Sequence, residues 1–127
     1  MASKESSYRV VELDGYAILV GKGARDNDAL TFGVAQPRDL WLHAAGYAGS
    51  HVIVRATEDG ADFPRAVVQR AAELAAWHSK ARAARGKVEV HVCRVADVRK
   101  PGGFPPGQVQ LREWRSVKVY PRGVKDS

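Results

Sequence analysis

Two pairs of side chains in the 127-residue sequence could carry acid–base or metal chemistry. His43 and His51 stand on either side of a short segment that contains glycine, and Asp26 and Asp28 lie in a polar stretch nearer the N-terminus. Imidazole and carboxylate groups that converge in a cleft can transfer protons or hold a metal that activates water. A hydrolytic or metal site is therefore one hypothesis, and it requires adjacent strands to bring all four side chains together.

The spacing of the other candidates matches no common catalytic or metal-binding motif. No two histidines have His-x-His spacing, and no His-Glu-x-x-His pair is present. Gly21-Lys22-Gly23 lacks the Ser/Thr that follows the lysine of a phosphate-binding P-loop. The single Cys93 forms no intrachain disulfide and frames no zinc ribbon. We predict no catalytic residue, no metal and no cofactor, and we interpret His91, on the polar side of a predicted strand, as a surface residue.

The charge distribution favours binding to a polyanion. Residues 1–63 contain six Lys/Arg and nine Asp/Glu, whereas residues 64–127 contain fourteen and five, and the whole chain has a formal net charge of +6. A strongly basic half-chain is typical of RNA-binding surfaces, although basic charge can also serve solubility alone. Charge therefore opens the RNA hypothesis without deciding it.

Aromatic residues stand close to basic ones in four places. The pairs are Arg38 with Trp41, Trp77 with Lys80, Trp114 with Arg115, and Tyr120 with Arg122. Bases that stack on aromatic rings while cations hold the phosphates are the usual basis of single-stranded RNA binding. Core packing is the alternative for Trp41, on the opposite side of its strand from the flanking leucines, whereas Trp114 has charged neighbours and is expected to be exposed.

The elements that must position these side chains are several strands and one long helix. Asp14-Gly15 between two apolar runs is a strong hairpin signal, because both turn residues accept positive φ. Apolar residues at helical spacing after Pro64 predict the helix, and alternating valines predict a strand. We predict a loop over residues 21–28, a helix over about 64–84, a strand over 87–92, and a final strand pair formed by 109–111 and 117–120. The fold class is α+β, a single domain with a mostly antiparallel sheet.

The length fits one domain. We expect a disordered N-terminus over residues 1–7, the domain over 8–121, and a basic C-terminal tail over 122–127. No apolar run is long enough to span a membrane, and no signal-peptide core follows Met1. We therefore expect a cytoplasmic protein with no membrane partner. The sequence indicates no oligomeric state.

Five blocks of residues closely resemble the NFACT-R domain. They are Gly21 with Asn27-Asp28-Ala29-Leu30-Thr31-Phe32, Asp39-Leu40-Trp41-Leu42-His43, Gly49-Ser50-His51-Val52-Ile53-Val54-Arg55, Ser79-Lys80-Ala81-Arg82, and Val98-Arg99-Lys100-Pro101-Gly102 followed by Pro106-Gly107-Gln108-Val109. NFACT-R is the RNA-binding part of large NFACT proteins, which act on stalled large ribosomal subunits and recruit tRNA. The resemblance implies a small bacterial protein of this domain alone that binds rRNA or tRNA, with the large ribosomal subunit as a further expected partner and ribosome-associated quality control as the expected context.

The residues and the resemblance together predict one contact surface for RNA. Cations would hold phosphates, His and Trp would stack on bases or ribose, and the Asn and Ser side chains would donate hydrogen bonds. Asp28 would orient the loop or hold a basic residue. The predicted RNA-binding residues are Arg25, Asn27, Asp28, Trp41, His43, Ser50, His51, Arg55, Lys80, Arg82 and Lys100.

Two alternatives remain open at this point. The first is an RNA-processing or RNA-modifying enzyme, or its accessory subunit, that uses Asp26, Asp28, His43 and His51. The second is that Gly49-Ser50 and Asp28 recur in the motif only because the turn needs them. If the two histidines contact RNA with an ordinary pKa near 6.5, their protonation should strengthen binding as the pH falls from about 7.5 to 6.

Overall fold

The computed structural model describes residues 7–124 of the chain. Apart from Ser7, the predicted disordered N-terminus lies outside these residues, as do the last three residues of the predicted basic tail. The strands are β1 (Tyr8–Leu13), β2 (Tyr16–Gly21), β3 (Leu40–Ala44), β4 (Val52–Val54), β5 (Val88–Arg94), β6 (Val98–Arg99), β7 (Gln110–Leu111) and β8 (Arg115–Val119). The helices are α1 (Ala24–Ala29), which continues as a π-helical turn (Leu30–Val34), and α2 (Arg65–Trp77), with a 3₁₀ turn at Val95–Asp97.

Six strands form one antiparallel sheet in the order β1-β2-β4-β3-β5-β8, and β6 pairs with β7 in a separate two-stranded sheet. The predicted α+β class with a mostly antiparallel sheet is confirmed. The β1–β2 hairpin also forms at the predicted turn, where Asp14 and Gly15 have φ values of 52° and 84°.

The main core lies between α2 and one face of the sheet. Helix α2 contributes Val67, Ala71 and Leu74, which are fully buried, and the sheet contributes alternate residues of its central strands, such as Leu42 and Val90. Because side chains alternate across a strand, the neighbours of these residues point to the other face. The predicted valine face of β5 is confirmed, since Val88, Val90 and Val92 all belong to this core.

The opposite face of the sheet carries a smaller core that only partly covers it. Trp41 and Ile53 project from this face and pack against Leu30 of the π-helical turn and Val98 of β6. Residues 21–28, predicted as a loop, therefore contain a helix instead, because α1 must bring Leu30 down onto the sheet. The part of this face that α1 and β6–β7 leave uncovered holds the candidate site.

Helix α2 ends at Trp77, seven residues before the predicted end. The chain leaves the helix because its next residues bond to the loop between β3 and β4. The carbonyl of His78 accepts a hydrogen bond from the amide of Ser50 (2.8 Å), and the amide of Lys80 donates to the carbonyl of Ala48 (2.8 Å). Gly49 permits this approach, because a Cβ at that position would lie 2.8 Å from the Cα of Ser79.

The predicted final strand pair is wrong. Residues 110–111 pair with β6, and β8 pairs with the exposed edge of β5 in a five-residue register from Val88 opposite Val119 to Val92 opposite Arg115. Arg112 explains the separation, because its amide donates to the carbonyl of Asp97 and its guanidinium pairs with the carboxylate of the same residue (2.6 Å). This holds β7 beside β6 and leaves β8 free to complete the large sheet.

Asp39 holds the end of β4 that is remote from His51. Its carboxylate is 2% exposed and accepts hydrogen bonds from the amides of Gln36 and Ala56, both at 2.8 Å. The guanidinium of Arg55 pairs with the same carboxylate at 3.2 Å. Arg55, a predicted RNA contact, is thus engaged in joining β3 and β4.

We expect Asp39→Ala to lower the free energy of unfolding by about 3 kcal/mol, because it leaves two amides and one guanidinium without their acceptor. Urea denaturation measures the change. Asp62→Ala is the matched control: this carboxylate is fully exposed and lies 3.8 Å from Arg94, so its loss should leave the unfolding midpoint unchanged. Equal effects of the two substitutions would contradict the structural role of Asp39.

Candidate nucleic-acid interface

A groove of about 1100 Å³ opens on the uncovered part of the sheet. Four segments wall it: residues 21–24 before α1, residues 46–50 between β3 and β4, residues 78–82 after α2, and residues 106–111 leading into β7. Its floor consists of Trp41, His43, His51 and His91. We call this cleft the histidine groove.

The floor is a packed cluster of aromatic rings. The ring of His43 stacks on Trp41 with centroids 5.8 Å apart, and both rings meet His51 edge to face, at 5.6 Å and 5.1 Å. The indole N–H of Trp41 has no hydrogen-bond acceptor among residues 7–124, so packing alone holds this ring. The predicted orientation of Trp41, opposite its flanking leucines, is confirmed because they belong to the other core.

His51 is a buried structural residue as well as part of the floor. It is 1% exposed, and its Nε2 lies 3.0 Å from the carbonyl oxygen of Gly107 while its Nδ1 lies 2.8 Å from the hydroxyl of Thr31. Since a carbonyl only accepts, Nε2 carries the proton, and Nδ1 then accepts from the threonine hydroxyl in a neutral ring. Both ring nitrogens are therefore used inside the protein.

Burial lowers the pKa of His43 and of His51 to about 4. In each case removal of the ring from water is the largest cause, and a neighbouring imidazole, His91 for His43 and His43 for His51, lowers the pKa further. The two rings are neutral between pH 6 and 7.5. The predicted gain of positive charge in that range is wrong for this pair.

The side chains of Asn27 and Ser50 bind the backbone of the groove walls. The Asn27 carboxamide accepts from the amide of His51 (3.0 Å) and donates to the carbonyl of Gly49 (3.1 Å), and the hydroxyl of Ser50 donates to the carbonyl of Gly21 (2.5 Å). Both side chains were expected to donate hydrogen bonds to RNA, but the hydrogen bonds they form here lie within the protein. They fix the relative positions of two of the four walls, residues 21–24 and 46–50.

Lys100 is also occupied within the protein. Its ammonium lies 3.1 Å from the carboxylate of Asp28 and donates to the carbonyls of Pro105 (2.5 Å) and Gln108 (2.8 Å). The amide of Gly107 donates to the same carboxylate at 3.1 Å. The prediction that Asp28 holds a basic residue is confirmed, and the pair fastens the fourth wall of the groove to α1.

Lys80 and Arg82, two of the predicted RNA contacts, line the groove. Arg25, another predicted contact, is exposed on α1 and lies outside the lining. Arg82 is oriented by the end of α2, since its Nε donates to the carbonyl of Trp77 (2.9 Å) and its guanidinium lies over that indole at 4.5 Å. Asp26 does not line the groove either. The four residues of the catalytic hypothesis therefore do not share an open cleft.

Sequence reasoning missed several residues of the groove. Arg9, Lys22, Tyr47, His78 and His91 all line it and were absent from the predicted surface. Trp114, which was expected to be exposed, also lines the groove and is 52% exposed. His91 lies directly across from His43 on the neighbouring strand, and its ring contacts Trp114 at 5.6 Å. Strand alternation could have found His91, because it faces away from the valine side of β5, but the pairing of β5 with β3 was needed to place it beside His43.

The lining of the groove is cationic. Four Lys/Arg side chains belong to it, and none of its lining residues within 7–124 is Asp or Glu. The positive potential is also visible at His78, whose pKa is lowered by burial first and then by the nearby Arg9 and Arg82. Aromatic rings form the floor, the imidazoles of His43 and His51 among them are neutral, and positive charges surround the floor. This arrangement suits a polyanion that carries flat aromatic groups.

Comparison with known families agrees with this arrangement. Residues 6–113 match the model of the NFACT protein RNA-binding domain. The chain belongs to the NFACT RNA-binding domain family. The resemblance noted in the sequence blocks is thereby confirmed across most of the chain.

Relatives with this domain are much longer than the chain. It is 39% identical over 119 residues to the Rqc2 homolog RqcH of Streptococcus suis and 38% identical over 107 residues to RqcH of Bacillus subtilis. These matches cover 93% and 84% of the chain but only 21% and 18% of the relatives. A solved structure, the C-terminal part of the fibronectin/fibrinogen-binding protein from Streptococcus suis, superposes with a TM-score of 0.81 at 39% identity, covering 91% of this chain and 45% of that one.

Two further properties concern residues 7–124 only. No helix in this part of the NFACT domain is long and apolar enough to cross a membrane. Within the same residues, no three His, Cys, Asp or Glu side chains gather in an arrangement that could hold a metal ion.

The lowered pKa values predict that acid destabilises the domain. A histidine with a pKa of about 4 when folded and about 6.5 when unfolded stabilises the fold fully above pH 6.5, and this contribution is lost as the pH falls from 6.5 towards 4. At pH 5.5 the loss should be on the order of 1 kcal/mol per histidine. Urea unfolding at pH 7.5, 6.5 and 5.5 measures it, and His43→Gln should reduce the slope. An unchanged slope in His43→Gln would contradict the burial of a neutral ring.

Proposed function

We propose that this domain binds RNA in the histidine groove and that its targets are ribosomal RNA or tRNA. The observation that carries the proposal is the groove itself, in which an aromatic floor is surrounded by cationic side chains without a carboxylate in the lining. Membership of a family of RNA-binding domains supports the same conclusion. Acidic peptides are an alternative class of anionic ligand. They would leave the floor of aromatic rings without a stacking partner.

The phosphates would be held by Arg9, Lys22, Lys80 and Arg82, which come from three different segments of the chain. Lys and Arg contacts to phosphates position an RNA but carry little sequence information. Arg25 is a further exposed cation close to this rim. Arg55 and Lys100 instead serve the fold, through Asp39 and Asp28, so their substitution should act through stability.

The choice of rRNA or tRNA rests on the relatives. They are Rqc2 homologues, and the NFACT proteins that the sequence blocks resemble act on stalled large ribosomal subunits. We infer a role in ribosome-associated quality control in the cytoplasm, with the large ribosomal subunit as a partner. The chain spans about a fifth of these relatives, so this role is that of a binding module within the process.

A catalytic role is less well supported by the geometry. A general base needs an accessible nitrogen or oxygen near the reacting group. Both nitrogens of His51 are bonded within the protein, and the carboxylate of Asp28 is neutralised by Lys100. We therefore assign the domain a binding function without catalysis.

The electrostatic part of the proposal is tested by Lys22→Ala combined with Lys80→Ala. Both side chains are exposed in the lining of the groove. We expect RNA affinity at about 0.1 M salt to fall roughly tenfold, and the log–log salt slope to become shallower by about 1.4, since each phosphate contact to a single strand contributes roughly 0.7. Fluorescence anisotropy with labelled RNA at several salt concentrations gives both quantities.

The control variant is Arg65→Ala combined with Arg122→Ala. It removes the same number of positive charges from exposed positions that do not line the groove. Its affinity and salt slope should stay close to those of the unsubstituted domain. If the two double variants behave alike, RNA binding follows net charge and the groove is not the site.

We further expect RNA to remain intact when it is incubated with the purified domain and Mg²⁺ or Mn²⁺. No described side chains assemble the ligands that a metal-assisted hydrolysis would need. Denaturing gel electrophoresis of end-labelled RNA over several hours measures cleavage. Cleavage that disappears in His43→Ala would show that the groove is catalytic.

A further inference from the structure

Trp114 is placed as an open stacking surface at the histidine groove. It lies between β7 and β8, is 52% exposed, and its ring contacts that of His91, whose centroid is 5.6 Å away. A large aromatic ring that is half in water beside a cationic groove is available to stack on a base. One ring contact orients the indole while much of it stays available.

The shape of the groove selects between kinds of RNA. In an A-form duplex the bases are stacked inside, and the outer surface is a convex array of phosphates and ribose. A duplex could therefore touch the cationic rim, but its bases could not reach a floor enclosed by four chain segments. An unpaired nucleotide in a loop, bulge or single strand can turn its base out and insert it.

The chemistry of the floor points the same way. His43 and His51 are neutral rings with no charge to offer a phosphate, and Trp41 lies beneath them. The cationic groups come instead from the walls, at Lys22, Lys80 and Arg82. A flat, uncharged base is compatible with the partly exposed, neutral ring of His43, and its flanking phosphates are compatible with the cationic walls.

We propose that the histidine groove takes an unpaired RNA base that stacks on Trp114 beside His91, so that the domain prefers loops, bulges and single strands to continuous duplex. This rests on the proposed RNA-binding function and goes beyond it by naming the structural class of RNA. Trp114 is then the residue that determines the preference, while the lysines of the walls contribute to binding of either class.

The test compares two RNAs with the same stem sequence and the same number of phosphates, one closed by a single-stranded loop and the other a continuous duplex. We expect the domain to bind the looped RNA about tenfold more tightly, because stacking of one base on an aromatic side chain is worth roughly that factor or more. Trp114→Ala should remove this preference by weakening the looped RNA alone. Trp114→Phe should retain most of it, since a smaller ring still stacks.

A direct readout is the fluorescence of 2-aminopurine placed in the loop. Stacking on the indole should quench it in the unsubstituted domain and leave it unquenched in Trp114→Ala. Tyr120→Ala is the matched control, because Tyr120 is 58% exposed but does not line the groove, and this variant should keep both the preference and the quenching. Thermal unfolding of each variant checks that the half-exposed ring was removed without loss of the fold.

The outcomes separate the two proposals. Equal affinity for the two RNAs, or equal weakening of both by Trp114→Ala, overturns the proposal that an unpaired base stacks on Trp114. If Lys22→Ala with Lys80→Ala still weakens binding in that case, the proposal that RNA binds in the histidine groove stands. Failure to bind either RNA at low salt overturns both proposals. Loss of the loop preference in Trp114→Ala, with duplex binding unchanged, supports stacking of an unpaired base on Trp114.

Discussion

The buried His51 ring connects segments around the groove that are distant in sequence. Its two nitrogens join the π-helical turn, through Thr31, to the segment before β7, through the carbonyl of Gly107. Its backbone amide is bound by Asn27, whose carboxamide also holds Gly49. Burial keeps the ring neutral, so it can act as donor on one side and acceptor on the other. Three segments that are distant in sequence therefore depend on one imidazole.

The same constraint explains why the groove separates charge from aromatic surface. A protonated His51 ring would lose its acceptor nitrogen and would lie against a second imidazole, so this ring remains neutral. Positive charge is confined to the walls, where water solvates Lys22 and Lys80 at little cost. A ligand with a phosphate backbone and flat bases matches this division, whereas a compact anion would contact only the cationic walls.

Several residues with the appearance of a functional motif are structural in this domain. Lys100 and Asp28 form an ion pair that secures the segment before β7 against α1. The carboxylate of Asp39 accepts hydrogen bonds from the amides of Gln36, before β3, and Ala56, after β4. Polar side chains that cross-link loops by hydrogen bonds are costly to replace, because their partners are left buried and unpaired. These residues support the groove from outside its lining, whereas Lys80 and Trp114 line it.

Local patterns in the sequence determined the β1–β2 hairpin, the valine face of β5 and the orientation of Trp41, because turn chemistry and strand alternation depend only on neighbouring residues. The end of α2 and the partner of β7 depended on contacts between distant segments, which local periodicity does not record. For the site, residue types predicted cations and aromatic rings, and the groove contains both. Only the pairing of β3 with β5 brought His91 to His43, and only burial turned His51 from a candidate contact into the neutral ring that holds the walls together.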